Sequence, residues 1–215
     1  MLKNIMVSGR TINKEVHYRM PITLSNTSGK GNIALRNNAN RGSFAMSLII
    51  QYNAGLFKTT YAGYFADSVS FFATATPTTY GSNPATSVQT TAISEAATDD
   101  GSSFSVQWLG YFKPTTTETY TFFTNSDDAS YMWIGANALS GFTTANATVS
   151  NGGLHGNVET SGTAALTAGV YYPVRMQFGE NGGGDVFGFN YSTPTIIKTT
   201  NVTGLVFYNP LTNGF

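Results

Sequence analysis

The chain has 215 residues, no cysteine, and as many basic as acidic side chains, with only 10% of residues charged. That length suits one β domain with an extension, or at most two small domains, and the missing cysteines exclude a disulfide framework and thiol chemistry. Plentiful Gly, Thr, Ser and Asn beside 12 Tyr and 15 Phe is the composition of short strands joined by turns, and no stretch sustains helical periodicity.

The neutral total hides an asymmetry. Residues 1–58 hold eight basic residues against Glu15 alone, a balance of +7, and residues 59–215 hold three against ten acidic ones, a balance of −7. Two electrostatic characters in one chain suggest two jobs. The opening MLKNIMVSGRTINKEV lacks the apolar run of a signal peptide. No segment approaches the roughly 18 apolar residues of a membrane span. The expected location is therefore a particle or virion surface, or a cell surface if a leader has been removed. Sequons at Asn26, Asn146, Asn190 and Asn201 read as chance in a chain rich in Thr and Asn.

Residues 1–42 contain short apolar pieces (Ile5-Met6-Val7, Ile22-Thr23-Leu24, Ile33-Ala34-Leu35) divided by Gly, Asn and Lys. None has the surface to form a core alone. They read as an extended basic N-terminal arm that orders against a partner, either other copies or other proteins of an assembly. A competing reading makes them edge strands of the main domain. Their charges are spaced out and interleaved with few aromatics, which speaks against nucleic acid as a partner.

Residues 43–215 read as one antiparallel β-sandwich, an all-β fold. Phe44 to Ile50 and Gly55 to Phe65 supply the first strands, and Val69-Ser70-Phe71-Phe72 follows. From Ala73 to Gly101 a Thr/Ser/Ala-rich connection with Pro77 and Pro84 reads as a surface excursion. Phe104, Val106, Trp108 and Phe112 mark a half-buried strand, the Lys113-Pro114 turn predicts a central hairpin, and Tyr120 and Phe122 repeat the beat. Asn125-Ser126-Asp127-Asp128 is expected as a polar loop before the apolar run Tyr131 to Ile134. Gly135 to Thr163 reads as a second long connection. Val170 to Phe178, Val186 to Tyr191 and Leu205 to Tyr208 complete the set, with Pro173 suggesting an edge or a bulge.

The order W-x-G-Y-F-x-P, Y-T-F, S-D-D-x-x-Y-x-W-I-G resembles the protective-antigen-like (PA-fourteen) domain family, nearest its flocculin and GLEYA-type adhesin branch. The resemblance continues through Tyr171-Tyr172-Pro173-Val174-Arg175 and the Gly-rich stretch Gly179 to Asp185, about residues 55–210 in all. It implies a β-sandwich and calcium-dependent sugar binding.

Calcium wants several hard oxygens at once, and Asp127-Asp128 offers two carboxylates. Neighbouring side chains on an extended backbone point apart, so both reach one ion only if the peptide between them is unusual. The resemblance implies a cis bond there; the plain alternative is an Asx-type turn. The resemblance also places Asn181 as a ligand, with glycine carbonyls beside it, and adds Asp185 to the ligand-binding residues. Three consecutive glycines and the charges of Glu180 and Asp185 depart from the family's sugar pocket, which bears on the sugar more than on the metal.

Catalysis finds no support: His17 and His155 sit in no triad or metal spacing, and Glu118 stands apart from the aspartates. The expected function is a lectin-like, non-enzymatic, calcium-dependent glycan-binding module for adhesion, displayed on a larger assembly. The alternative is a structural component of such an assembly, a minor capsid or virion surface protein anchored by its arm, without sugar binding.

Overall fold

The computed structural model describes residues 33–36, 43–46, 52–78, 88–90, 93–95, 103–200 and 204–208. The expected arm lies outside them except for β1 (Ile33–Arg36), which pairs antiparallel with β2 (Ser43–Met46). Next come β3 (Tyr52–Ala54) and β4 (Leu56–Ala62), separated by Gly55 at φ 103°, a left-handed conformation that glycine adopts freely. A single helical turn, α1 (Phe71–Thr74), precedes β5 (Val88–Thr90), β6 (Ser94–Glu95) and β7 (Phe104–Phe112). Then follow β8 (Glu118–Asp127), β9 (Ala129–Ile134), α2 (Ala136–Leu139), a 3-10 turn (Thr144–Asn146) and β10 (Val149–Asn151). The strands β11 (Val158–Leu166), β12 (Tyr172–Glu180), β13 (Val186–Ser192) and β14 (Leu205–Tyr208) close the series.

These strands form an antiparallel sandwich, as the alternating pattern predicts. One sheet runs β10-β9-β12-β7-β14-β3, with β4 also on β7 and β5 on β4; the other runs β11-β8-β13-β6. Between them lies the main core, where Trp108 stacks on Phe187 at 4.7 Å and Phe112 meets Tyr120 edge-on at 5.4 Å. No helix among the described residues is long and apolar enough to cross a membrane.

The outer face of the larger sheet carries a second core. Tyr61, Phe65, Phe72, Tyr131, Trp133 and Ala138 cluster there, under residues 63–78 and the α2 segment. This explains the unbroken apolar run of β9. Met132 faces the sandwich interior and Trp133 the outer cluster, so neither face meets water. Trp133 is fully buried, and its Nε1–H donates to Thr143 O and Asn146 Oδ1, which makes it core.

Several local expectations are corrected. β7 and β8 do not form a hairpin, because the Lys113-Pro114 turn carries the chain from one sheet to the other. Their aromatic faces meet across the interior, and this packing wins over edge pairing. The connection of residues 73–101 is more than a surface excursion: β5 pairs with β4, β6 pairs with β13, and Ile93 is buried. The stretch of residues 135–163 likewise holds β10 and most of β11, which pairs with β8 along nine positions. β11 exposes alternate residues at the sheet edge, so its sequence lacks an apolar beat. Pro173 sits on an interior strand, between β7 and β9. It is the second residue of β12, where its carbonyl accepts from Gly135 N–H and its missing N–H interrupts little of the ladder.

Candidate functional site

β8 keeps its alternation to the last residue, so Asn125, Ser126 and Asp127 are strand and not loop. Asp128 alone separates β8 from β9, and the chain changes sheets at that point. The Asp127–Asp128 peptide is cis, as the family resemblance implies.

Beneath the aspartates the interior turns from aromatic to polar. Ser126 Oγ and Ser130 Oγ lie 2.8 Å apart, and Ser130 donates to Thr124 at 2.9 Å. Asn151, at the end of β10, donates to Ser126 Oγ and to Val158 O, and accepts from Thr160 Oγ1. Every one of these buried groups is therefore partnered, and β8, β9, β10 and β11 are tied together under the turn.

Asp128 is itself nearly buried, and its two oxygens hold two different loops. His155 N–H donates to Oδ1 at 2.9 Å, and Asn181 N–H donates to Oδ2 at 3.1 Å. Glu180, the last residue of β12, completes an acidic cluster: one carboxylate oxygen each from Asp127, Asp128 and Glu180 lie within 4.8 Å of one another. Glu180 is 1% exposed; its Oε1 accepts from Gly182 N–H at 2.6 Å, while its Oε2 is buried without a hydrogen-bond partner. A buried carboxylate oxygen with nothing to accept from is costly unless a cation or donor meets it.

The electrostatics agree with crowding of like charge. Burial raises the Glu180 carboxyl above its ordinary value; the Gly182 N–H opposes this, and Asp128, Asp127 and Asp185 add to it. Asp127 is raised by burial and by Asp128, with the His155 ring pulling the other way. Asp185 is 4% exposed and acts on both. Nearby, burial and the charges of Asp67, Asp128 and Glu180 push the Tyr64 hydroxyl up to about 12. Three convergent hard oxygens, with a buried Glu180 Oε2 that has no hydrogen-bond partner, are a donor set that fits a divalent cation such as calcium.

Of the residues expected at a site, Asp127 and Asp128 lie in the cluster and Asp185 lies beside it. Asn181 meets it through its backbone N–H, and its side chain is exposed. Glu118 stands at the opposite end of β8 from Asp127. Sequence reasoning missed Glu180 as a third carboxylate. It shares the strand parity of Val174, Met176 and Phe178, so extending β12 by two residues brings a charge to the buried face. The ties of Asp67 to the loop 152–157 were also missed. Asp67 accepts from Gly153 N–H at 3.3 Å and from the Tyr131 hydroxyl, and a Cβ at position 152 would lie 1.7 Å from the Tyr131 oxygen. Only glycine fits there.

With this geometry in place, residues 104–193 match the GLEYA domain family. Among solved structures the fold is similar to the Epithelial Adhesin 6 A domain from Candida glabrata, in complex with Galb1-3GlcNAc. That match has a TM-score of 0.58 and 17% identity over 75% of this chain and 89% of that one. An anti-sigma factor domain-containing protein matches at TM-score 0.55 and 17% identity, over 72% of this chain and 48% of that one. The PA14 domain of the antifreeze protein MpAFP matches at TM-score 0.53 and 15% identity, over 75% of this chain and 94% of that one. No curated protein matches the chain in sequence. The resemblance read from the motifs is thus borne out in both the GLEYA match and the sandwich.

Proposed function

We propose, from the premise of a GLEYA match on a PA-fourteen-type sandwich, that this chain is a non-enzymatic glycan-binding module that works through calcium. Asp127, Asp128 and Glu180 would hold the ion, with Asn181 and Asp185 at its margin. Bound there, calcium would supply a Lewis-acidic centre that vicinal sugar hydroxyls could coordinate. The protein's own part is to fix the oxygens: the cis Asp127–Asp128 turn rests on the buried Ser126–Ser130–Asn151 network, and Asp128 anchors both flanking loops. The single observation that carries this reading is the convergence of the Asp127, Asp128 and Glu180 carboxylates, with Glu180 Oε2 buried and without a hydrogen-bond partner. The adhesin relative crystallised with Galb1-3GlcNAc supports the choice of a sugar as the ligand.

Calorimetry of the full chain with calcium, beside Asp128→Asn, tests the metal. The wild type should release heat of binding, and the variant should lose about tenfold or more in affinity as one formal charge leaves the shell. Screening against neutral glycans with calcium and again with chelator tests the sugar. Binding that persists in chelator would refute the coordination.

We also propose that the module is displayed on a larger assembly, at a cell or particle surface, with residues 1–42 as the anchor. The charge split of +7 over residues 1–58 against −7 over residues 59–215 supports this. Deleting residues 1–42 should leave calcium binding intact and abolish incorporation into the assembly. A deletion that unfolds the sandwich would instead make the arm part of the domain.

A further inference from the structure

The acidic cluster has a consequence for which sugars the site accepts. We infer that the site takes uncharged glycans and discriminates against those that carry a carboxylate or sulfate near the coordinating hydroxyls. This rests on the calcium reading above and refines it to a substrate class.

The charges at the site carry the inference. Asp127, Asp128 and Glu180 converge within 4.8 Å, and Asp185 is close enough to act on two of them. One divalent ion against four carboxylates leaves two formal negative charges uncompensated. Asp67 adds to the same field, since it and the cluster carboxylates Asp128 and Glu180 all act on Tyr64.

The described Lys and Arg side chains are engaged elsewhere, and the His155 ring is the basic group beside the cluster. Lys58 lies over the Trp108 ring and Lys113 over the Tyr171 ring. Arg175 donates to Ala138 O and Gln107 and stacks on Phe142, while Lys198 pairs with Glu159. Neither loop anchored by Asp128 contributes Lys or Arg, for they read Gly-Gly-Leu-His-Gly-Asn at 152–157 and Asn-Gly-Gly-Gly-Asp at 181–185. The side chain held out between the anchored Gly153 and His155 is Leu154, 63% exposed. Among the described residues, such a rim offers an apolar surface to the C–H face of a pyranose and no Lys or Arg to an acid group.

A neutral diol replaces neutral water on the ion, so it leaves this charge unchanged. An anionic substituent one bond or two further out enters a negative field that only solvent and salt attenuate. Buried carboxylates are screened less than surface ones, so part of the repulsion outlasts physiological salt.

The test uses the full chain at saturating calcium. The probes are an array of neutral glycans, each paired with its uronate or sulfated counterpart on the same core. Neutral members should bind about three- to tenfold more tightly at low salt, and the gap should shrink toward unity near 1 M sodium chloride. Leu154→Lys, at a solvent-exposed position, should narrow the gap by adding a cation at the rim. Acidic members that bind as well as their neutral partners, or a gap indifferent to salt and to the lysine, would overturn the inference while leaving calcium-mediated binding standing. An array that binds neither class in calcium would instead overturn the glycan reading, and this inference with it.

Discussion

The two ends of β8 share a strand, a parity and a depth, and they are built from opposite materials. Near Glu118 the inward side chains are Tyr120 and Phe122, packed against Phe112 and Tyr191 at ring distances of 5.4 to 6.5 Å. Near Asp127 they are Thr124 and Ser126, held by Ser130 and Asn151, and all four inward residues of β8 are 0% exposed. Aromatic burial stabilises in proportion to area and tolerates small shifts. A buried hydrogen-bond network adds little net stability per bond, yet it fixes orientation because each unmade bond is costly. One end of the strand keeps the sandwich folded, and the other keeps the carboxylates aimed.

Breaking the apolar end should have the largest effect. Phe122→Ala removes a fully buried ring from the centre of that cluster and should cost about 3–5 kcal/mol, read as a lower midpoint in urea. Calcium affinity of the folded fraction should change little. A larger loss in calcium affinity than in stability would erase the division between the two ends.

Asn151→Ala attacks the polar end. It leaves Ser126 Oγ, Thr160 Oγ1 and Val158 O short of a partner and should cost about 1–3 kcal/mol. The comparison predicts the reverse pattern here: a modest loss in the urea midpoint with a disproportionate loss of calcium affinity by calorimetry.

The smallest effect concerns protons, and its sign differs between the ends. At the Glu118 end, hydrogen bonds from Thr193, Thr195 and Thr116 hold the carboxyl below its ordinary 4.5, against a smaller opposing effect of burial. That stability is present above 4.5 and lost as the pH falls through the lowered value. At the other end Asp127 and Glu180 are raised above 3.8 and 4.5. Their contribution is complete below those values and lost as the pH rises through the raised ones. Metal-free protein should therefore lose melting temperature on the way to neutral pH through Asp127 and Glu180, and added calcium should return it by more as the pH rises. Scans of Glu118→Gln and Glu180→Gln across pH separate the two. Glu118→Gln should flatten the acid side and Glu180→Gln the neutral side, and the same response from both would remove the contrast.

How far the sequence could be read follows from the same physics. Alternation of apolar with polar residues made β7 and the aromatic half of β8 legible, and the Asp-Asp pair stood out at the end of β8, whose polar half Asn125 to Asp127 read as a loop. β11 was not legible, because an edge strand of alternating Thr, Ser, Gly and Ala has the composition of a loop. Sheet assignment was not legible either: the Lys113-Pro114 turn looks the same whether the chain doubles back or crosses to the opposite sheet. Asp127 and Asp128 were found by adjacency. Glu180 comes from 52 residues further on, and only the register of β12 against β7 and β9 delivers it.

Asp128 grips its two neighbouring loops by main-chain N–H groups alone, at His155 and Asn181. Any residue but proline presents that same donor, so the grip does not depend on which side chains the loops carry. Away from Gly152 and the left-handed Gly153, Gly182 and Gly183, the loops can thus be rewritten in sequence while their attachment to the Asp127–Asp128 turn is conserved. The same scaffold can then serve as a chassis for changing ligand preference, by drift or by grafting, with the carboxylate cluster as the fixed part.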